Sequence, residues 1–106
     1  MNFPKPPTGL TTSSRKLWRH VTEVYDLRED ELALLEEAVR ALDRASEARE
    51  HLRRDGLVLP GRFGPRAHPA QAVENSAALR AARLLRQLGL EGAEIVSKAP
   101  SRLGVA

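Results

Sequence analysis

The stretch ELALLEEAVRALDRASEAREHLRRDG, residues 31–56, decides the fold. Leu32, Leu35, Val39, Leu42, Ala45 and Leu52 follow one another at steps that place apolar side chains along one face of an α-helix. No glycine or proline interrupts the run before Gly56. At its start, Asp26 and Glu29 have the spacing of a capping box. Glu29, Asp30 and Glu31 sit where the helix dipole favours negative charge, and Arg49, Arg53 and Arg54 sit where it favours positive charge. Gly56 is expected to end the helix as a left-handed cap, with Leu57 folding back on Leu52. The predicted helix is about 27 residues, or about 40 Å, long. In a chain of 106 residues it needs a partner helix of similar length, or another subunit.

A partner lies downstream. Pro69 suits the first position of a helix, and Ala72 or Val73, Ala77, Ala81, Leu84 and Leu88 continue an apolar face. Gly89 is expected to stop this helix with Leu90 packed on Leu85. Between the two helices, residues 57–59 form a short β-type run. Pro60, Gly61, Gly64 and Pro65 make turns, and residues 66–68 return. Upstream, Ser13 or Ser14 is expected to cap a short helix over residues 15–25. Leu17, Trp18, Val21 and Tyr25 form its apolar face, and Arg15, Lys16 and Arg19 lie mostly off it. Prolines and Gly9 exclude a helix before that.

The expected architecture is all-α: a short N-terminal helix and a long antiparallel helical hairpin joined by a small β-like turn region. Residues 1–14 are expected to be a flexible arm, residues 15–90 the helical domain, and residues 91–106 a flexible tail. The tail contains Gly92, Pro100 and Gly104, with Ile95 and Val96 as its one adjacent branched pair. Leu17, Trp18, Val21, Leu32, Leu35, Val39, Leu42, Leu84 and Leu88 are the expected core and oligomer-packing residues.

Composition narrows the function. With no cysteine, the chain has no disulfide, no Cys-based zinc site and no thiol nucleophile. Aromatics are only 4%, so Leu and Ala must fill the core, and a chain of this kind often associates with copies of itself. No run approaches the roughly 18 apolar residues of a membrane span, so no membrane partner is expected. His20, His51 and His68 lack metal-ligand spacing, although His68 is placed to cap the helix after Pro69. There is no phosphate loop, Gly-rich fingerprint or nucleophile elbow. Glu36 and Glu37 have the spacing to pair with Arg40 and Arg44, and Ser13, Ser14, Ser46 and Ser76 have no evident base. The expectation is a protein that is not an enzyme and has no metal or cofactor.

Charge is distributed in blocks. Residues 1–25 carry net +3, residues 26–55 net −4 and residues 56–106 net +4. Such blocks can present one face to DNA and another to a neighbouring subunit; a solvated acidic helix between basic ends is the plainer alternative. Arg15, Lys16 and Arg19, with Arg62 and Arg66, are the candidate phosphate contacts.

One series of motifs is familiar as a series: Leu17-Trp18-Arg19, Val21-Thr22 and Tyr25-Asp26-Leu27; the run from Glu31 to Ala38; Leu42-Asp43-Arg44; Asp55-Gly56-Leu57-Val58; His68-Pro69; and the run from Arg83 to Leu90. In this order the chain resembles the small terminase subunit of tailed phages and prophages, over roughly residues 17–90. The resemblance implies a non-catalytic protein that recognises viral double-stranded DNA and assembles into a homo-oligomeric ring. It also implies one that recruits and regulates the large terminase subunit, which holds the ATPase and nuclease, in the host bacterial cytoplasm. Arg28 departs from it, standing where a small capping residue is expected. Two rival readings are a small helical DNA-binding regulator and a helical adaptor without nucleic acid. Against the regulator, the second helix is too long and too acidic at its front for a recognition helix.

Overall fold

The computed structural model describes residues 3–90. Among these residues are three helices, α1 (Thr12–Val24), α2 (Glu29–Asp55) and α3 (Ala70–Gln87), with a two-stranded ribbon, β1 (Val58–Leu59) and β2 (Arg66–Ala67), between α2 and α3. The fold is all-α but for that ribbon. β1 and β2 are antiparallel, with Val58 opposite Ala67 and Leu59 opposite Arg66.

The long helix forms because its sequence is rich in Ala, Leu, Glu and Arg, all strong helix formers. Its start is not where the Asp26–Glu29 spacing placed it. Arg28 is the capping residue, and its backbone N–H donates to Glu31 Oε1 at 2.9 Å. A guanidinium has no acceptor, so only this half of a capping box forms, and the 8% exposed Glu31 carboxylate supplies it. At the other end Gly56 has φ +85° and ψ 167°, a conformation open to glycine but not the left-handed cap expected. Leu57 is correspondingly exposed rather than folded back on Leu52.

α3 begins on a cap that His68 makes. Pro69 already has helical dihedrals, and the Ala70 N–H donates to His68 Nδ1 at 3.0 Å. Nδ1 must then be the bare nitrogen, so Nε2 carries the proton and donates to Asp55 Oδ2, also at 3.0 Å. One imidazole thereby ties the start of α3 to the end of α2. At the far end the expected geometry forms. Leu90 N–H donates to Leu85 O and Gly89 N–H to Arg86 O, with Gly89 at φ +81°. These are the paired bonds of a Schellman cap.

α3 packs antiparallel along α2. The ion pairs Arg80–Glu37 (3.0 Å) and Arg49–Glu74 (2.8 Å) bridge the two helices at either end of the contact. Glu37 therefore reaches across the hairpin, while Glu36 pairs with Arg40 along α2 as the spacing predicts. The seam is built from small residues: Ala38, Ala41, Ala45 and Ala48 on α2, and Ala70, Ala77 and Ala81 on α3. Ala72 and Val73, expected on the apolar stripe, are exposed, and Ala70 takes that place.

α1 lies against the first half of α2 and the end of α3. Here sits the main core: Trp18, Val21 and Tyr25 from α1, Leu35 and Val39 from α2, and Leu85, Leu88 and Leu90 from α3 and its cap. Leu17, Leu32 and Leu84 pack against it half-buried, and Leu42 is half-buried as well. A smaller cluster of Ala48, Leu52 and Ala70 holds the ribbon end.

The start of α1 differs from the sequence expectation. Thr11, not Ser13 or Ser14, is the cap, its hydroxyl accepting from the Ser14 N–H. Residues 12–14 thus belong to the helix rather than to an arm. Upstream, Leu10 is buried in the core, and the Trp18 indole N–H donates to Pro4 O at 3.0 Å. A buried indole needs such a partner, and the proline-rich segment provides it. The tail assigned to residues 91–106 lies outside the described residues.

Candidate nucleic-acid interface

The five candidate phosphate contacts fall into two separate groups. Arg15, Lys16 and Arg19 are on α1, which reaches α2 through Ser14 at Val39 and Asp43. Arg62 and Arg66 are on the ribbon, beyond Asp55. From Asp43 to the end of α2 is about 18 Å at 1.5 Å per residue. The structure does not bring the two groups into one patch.

Within the α1 group the side chains differ. Arg15 is half-buried and donates to Leu10 O at 2.7 Å and to Thr12 Oγ1 at 3.3 Å. It braces the segment that leads into the helix, which commits much of its hydrogen-bonding capacity. Lys16 and Arg19 are exposed, and among the described residues no acidic side chain pairs with either. What fixes α1 in place is Asp43. Its carboxylate accepts from the Thr11 N–H (3.0 Å), the Thr11 hydroxyl (2.7 Å) and the Ser14 hydroxyl (2.6 Å). Burial opposes ionisation, but these bonds, with Arg40 nearby, outweigh it and hold the Asp43 carboxyl below its ordinary value.

On the ribbon, Arg62 and Arg66 also have no acidic partner among the described residues. Arg62 stacks over the neighbouring Phe63 ring, 5.5 Å from its centre. The flanking acids are already engaged. Asp55 is held below its usual range chiefly by the His68 hydrogen bond, with Arg54 adding to it, and Glu74 pairs with Arg49.

Sequence reasoning passed over three further side chains. Arg83 and Arg86, exposed on the last turns of α3, likewise have no acidic partner among the described residues; their place on a Leu-rich helix drew attention to packing instead. Phe63, 95% exposed, was hidden in a segment read only for its turns. Its signal was an aromatic residue between Gly61-Arg62 and Gly64-Pro65.

Exposed guanidinium and ammonium groups without carboxylate partners can neutralise phosphates. Among the described residues no three metal-ligating side chains gather, and no helix is long and apolar enough to cross a membrane. A groove of about 400 Å³ between α2 and α3, lined mainly by Leu42, Ala45, Ala81, Leu85 and Leu90, is apolar.

A comparison with protein families matches residues 9–97 to the phage terminase small subunit. No curated protein and no solved structure matches the chain significantly. The family match begins just before Leu10, the first core residue, and runs through all three helices. The chain belongs to the phage terminase small subunit family, generally the non-catalytic subunit, whose role lies in phage packaging.

Proposed function

We propose that this protein is a non-catalytic small terminase subunit that binds viral double-stranded DNA as a ring oligomer. It recruits and regulates the large terminase subunit in the host bacterial cytoplasm. Family membership over residues 9–97 is the observation that carries this reading. Cations without an acidic partner among the described residues supply a physical means: Lys16 and Arg19 on α1, Arg62 and Arg66 on the ribbon. Arg15 serves more as a brace than as a free phosphate contact, since it is bonded to Leu10 O. Repeated around a ring, these few charges add up to a strong field, and binding is then largely non-specific and steeply salt-dependent. Residues 15–90 act as the assembling unit, and residues 91–106 as the segment that docks on the large subunit.

The test is a double charge reversal, Lys16→Glu with Arg19→Glu, in the full chain. DNA affinity at low salt falls by an order of magnitude or more, through the loss of about two phosphate contacts, while the oligomer mass seen by native mass spectrometry stays the same. Unchanged affinity removes α1 from the interface. A wild-type protein that stays monomeric or dimeric, alone and on DNA, counts against the ring.

A further inference from the structure

We propose that the turn of residues 61–64 is a base-stacking wedge, in which Phe63 lies against DNA bases while Arg62 and Arg66 hold the adjoining phosphates. The inference rests on the DNA-binding reading above and assigns to Phe63 a part that the phosphate contacts do not play.

The turn is built to present this side chain. Gly64 N–H donates to Gly61 O at 3.2 Å, closing a β-turn with Arg62 and Phe63 at its corner positions. Gly64 sits at φ +116°, and a Cβ on Gly61 would collide with the Gly64 carbonyl oxygen. Both glycines are therefore required by the tightness of the turn. Pro60 and Pro65 flank it and restrict the chain on either side. The Arg66 stem lies over Gly61, its Cδ 3.2 Å from where a Cβ would stand. The outcome is a narrow, stiff tip carrying a phenyl ring that is 95% exposed.

Two features select the partner. First, the segment from Gly56 to Val73 contains two arginines and no acidic residue. The nearest acids in the chain, Asp55 and Glu74, are occupied by His68 and Arg54 and by Arg49. Among the described residues nothing compensates the tip's positive charge, which suits a polyanion. Second, the exposed group beside that charge is an aromatic ring rather than an aliphatic side chain. Every base offers a π-face to such a ring, and apolar wedges between base steps are a recurrent means of gripping duplex DNA without reading sequence. Arg62 above the ring keeps a cation at the point where ring and phosphate would meet.

The experiment compares the full-length protein with Phe63→Ala, Phe63→Trp and Arg66→Ala, binding a short mixed-sequence duplex over a range of salt concentrations. Phe63→Ala is expected to weaken binding about tenfold, as loss of one stacked base does, with the salt dependence unchanged because no phosphate contact is removed. Arg66→Ala instead lowers the salt slope by about one unit. Phe63→Trp retains affinity, and duplex DNA quenches its new indole; Trp18, 4% exposed in the core, stays unresponsive in the wild type. Phe63 is too exposed for these changes to unfold the chain, and matched melting curves verify that. Wild-type affinity in Phe63→Ala, with an unquenched tryptophan, overturns the wedge and points the ring toward a protein partner. A lowered salt slope in Phe63→Ala also overturns it, because the ring would then act only by placing arginines. Failure of the wild type to bind duplex at low salt removes the DNA reading itself, a result distinct from either.

Discussion

Asp43 shows how one residue positions an element. It receives two bonds from Thr11 and one from Ser14, and these fasten the first turn of α1 to the middle of α2. Hydrogen bonds to a charged group contribute roughly 1.5–3 kcal/mol each when well shielded; these are only partly shielded, so less is expected here. The carboxyl's native value lies below its ordinary 3.8. For a depressed acid, the stabilisation is fully present above the unfolded value and is lost as pH falls through the native one. Asp43→Asn keeps the shape but turns an amide N–H₂ or a carbonyl toward donors that previously faced two anionic oxygens. If the oxygen meets the two hydroxyls, the nitrogen meets the Thr11 N–H, donor against donor. The substitution is expected to cost about 1–2 kcal/mol at neutral pH and to flatten the acid limb of stability below 3.8. Urea melts across that range check it, and parallel acid limbs in the two proteins would exclude Asp43 as a source of the pH dependence. The sequence pattern gave no sign of this role: Asp43 reads as one more acid on a charged helix, and its three donors come from residues 29 to 32 positions away.

At the scale of elements, what could be read from sequence was what depends on local periodicity and backbone chemistry. The order of the helices, the ribbon between Leu57 and His68, and the Schellman cap at Gly89 all follow from such signals. What could not be read depends on which side of a helix faces its neighbour. Ala72 and Val73 fit a 3.6-residue repeat as well as Ala70 does, yet of the three only Ala70 is buried, in a cluster with Ala48 and Leu52. Caps shifted for a similar reason. Ser13, Ser14 and Thr11 are all chemically fit to cap, and tertiary bonds to Asp43 hold Thr11 at the cap position and Ser14 in the first turn. The candidate contacts were legible as basic residues, whereas Arg15's bond to Leu10 O and the exposure of Phe63 needed the fold. The small-residue seam has its own consequence. Ala81 is 1% exposed where α3 approaches α2, so Ala81→Leu must push the helices apart or strain its rotamer. A loss of about 1–3 kcal/mol is expected, measured by thermal or denaturant melts. Ala82→Leu, one position on at an exposed site, serves as the comparison and should be near neutral; equal effects would mean that the seam is not tightly packed.

The described residues form an elongated body, 58 × 23 × 23 Å, with a radius of gyration of 16.4 Å. A compact chain of this length would have a radius of roughly 13 Å. The excess has a physical cause: α1 covers only one end of the hairpin, so half of α2 and α3 is a two-helix layer held by alanines. Such a layer buries little apolar area per residue, and burial is what offsets chain entropy. The outward side of α3 has not been made fully polar in return. Leu79, two positions from both Ala77 and Ala81 and so on the opposite side of the helix, is 63% exposed. Ala72 and Ala82 are exposed beside it. If assembly covers this face, folding and association are one equilibrium, and mass action makes stability depend on protein concentration. The apparent melting temperature of the wild type is therefore expected to climb with concentration. Leu79→Glu should abolish that climb and reduce the sedimenting mass, because a carboxylate at the centre of a closed apolar contact is left buried and unpaired. Helical circular dichroism at low concentration should stay comparable, since Leu79 is largely exposed and belongs to neither core cluster of the described residues. A wild-type melting temperature independent of concentration would mean that one chain stabilises itself, and the proposed ring would then have to draw its energy from DNA or the large subunit rather than from the faces of the hairpin.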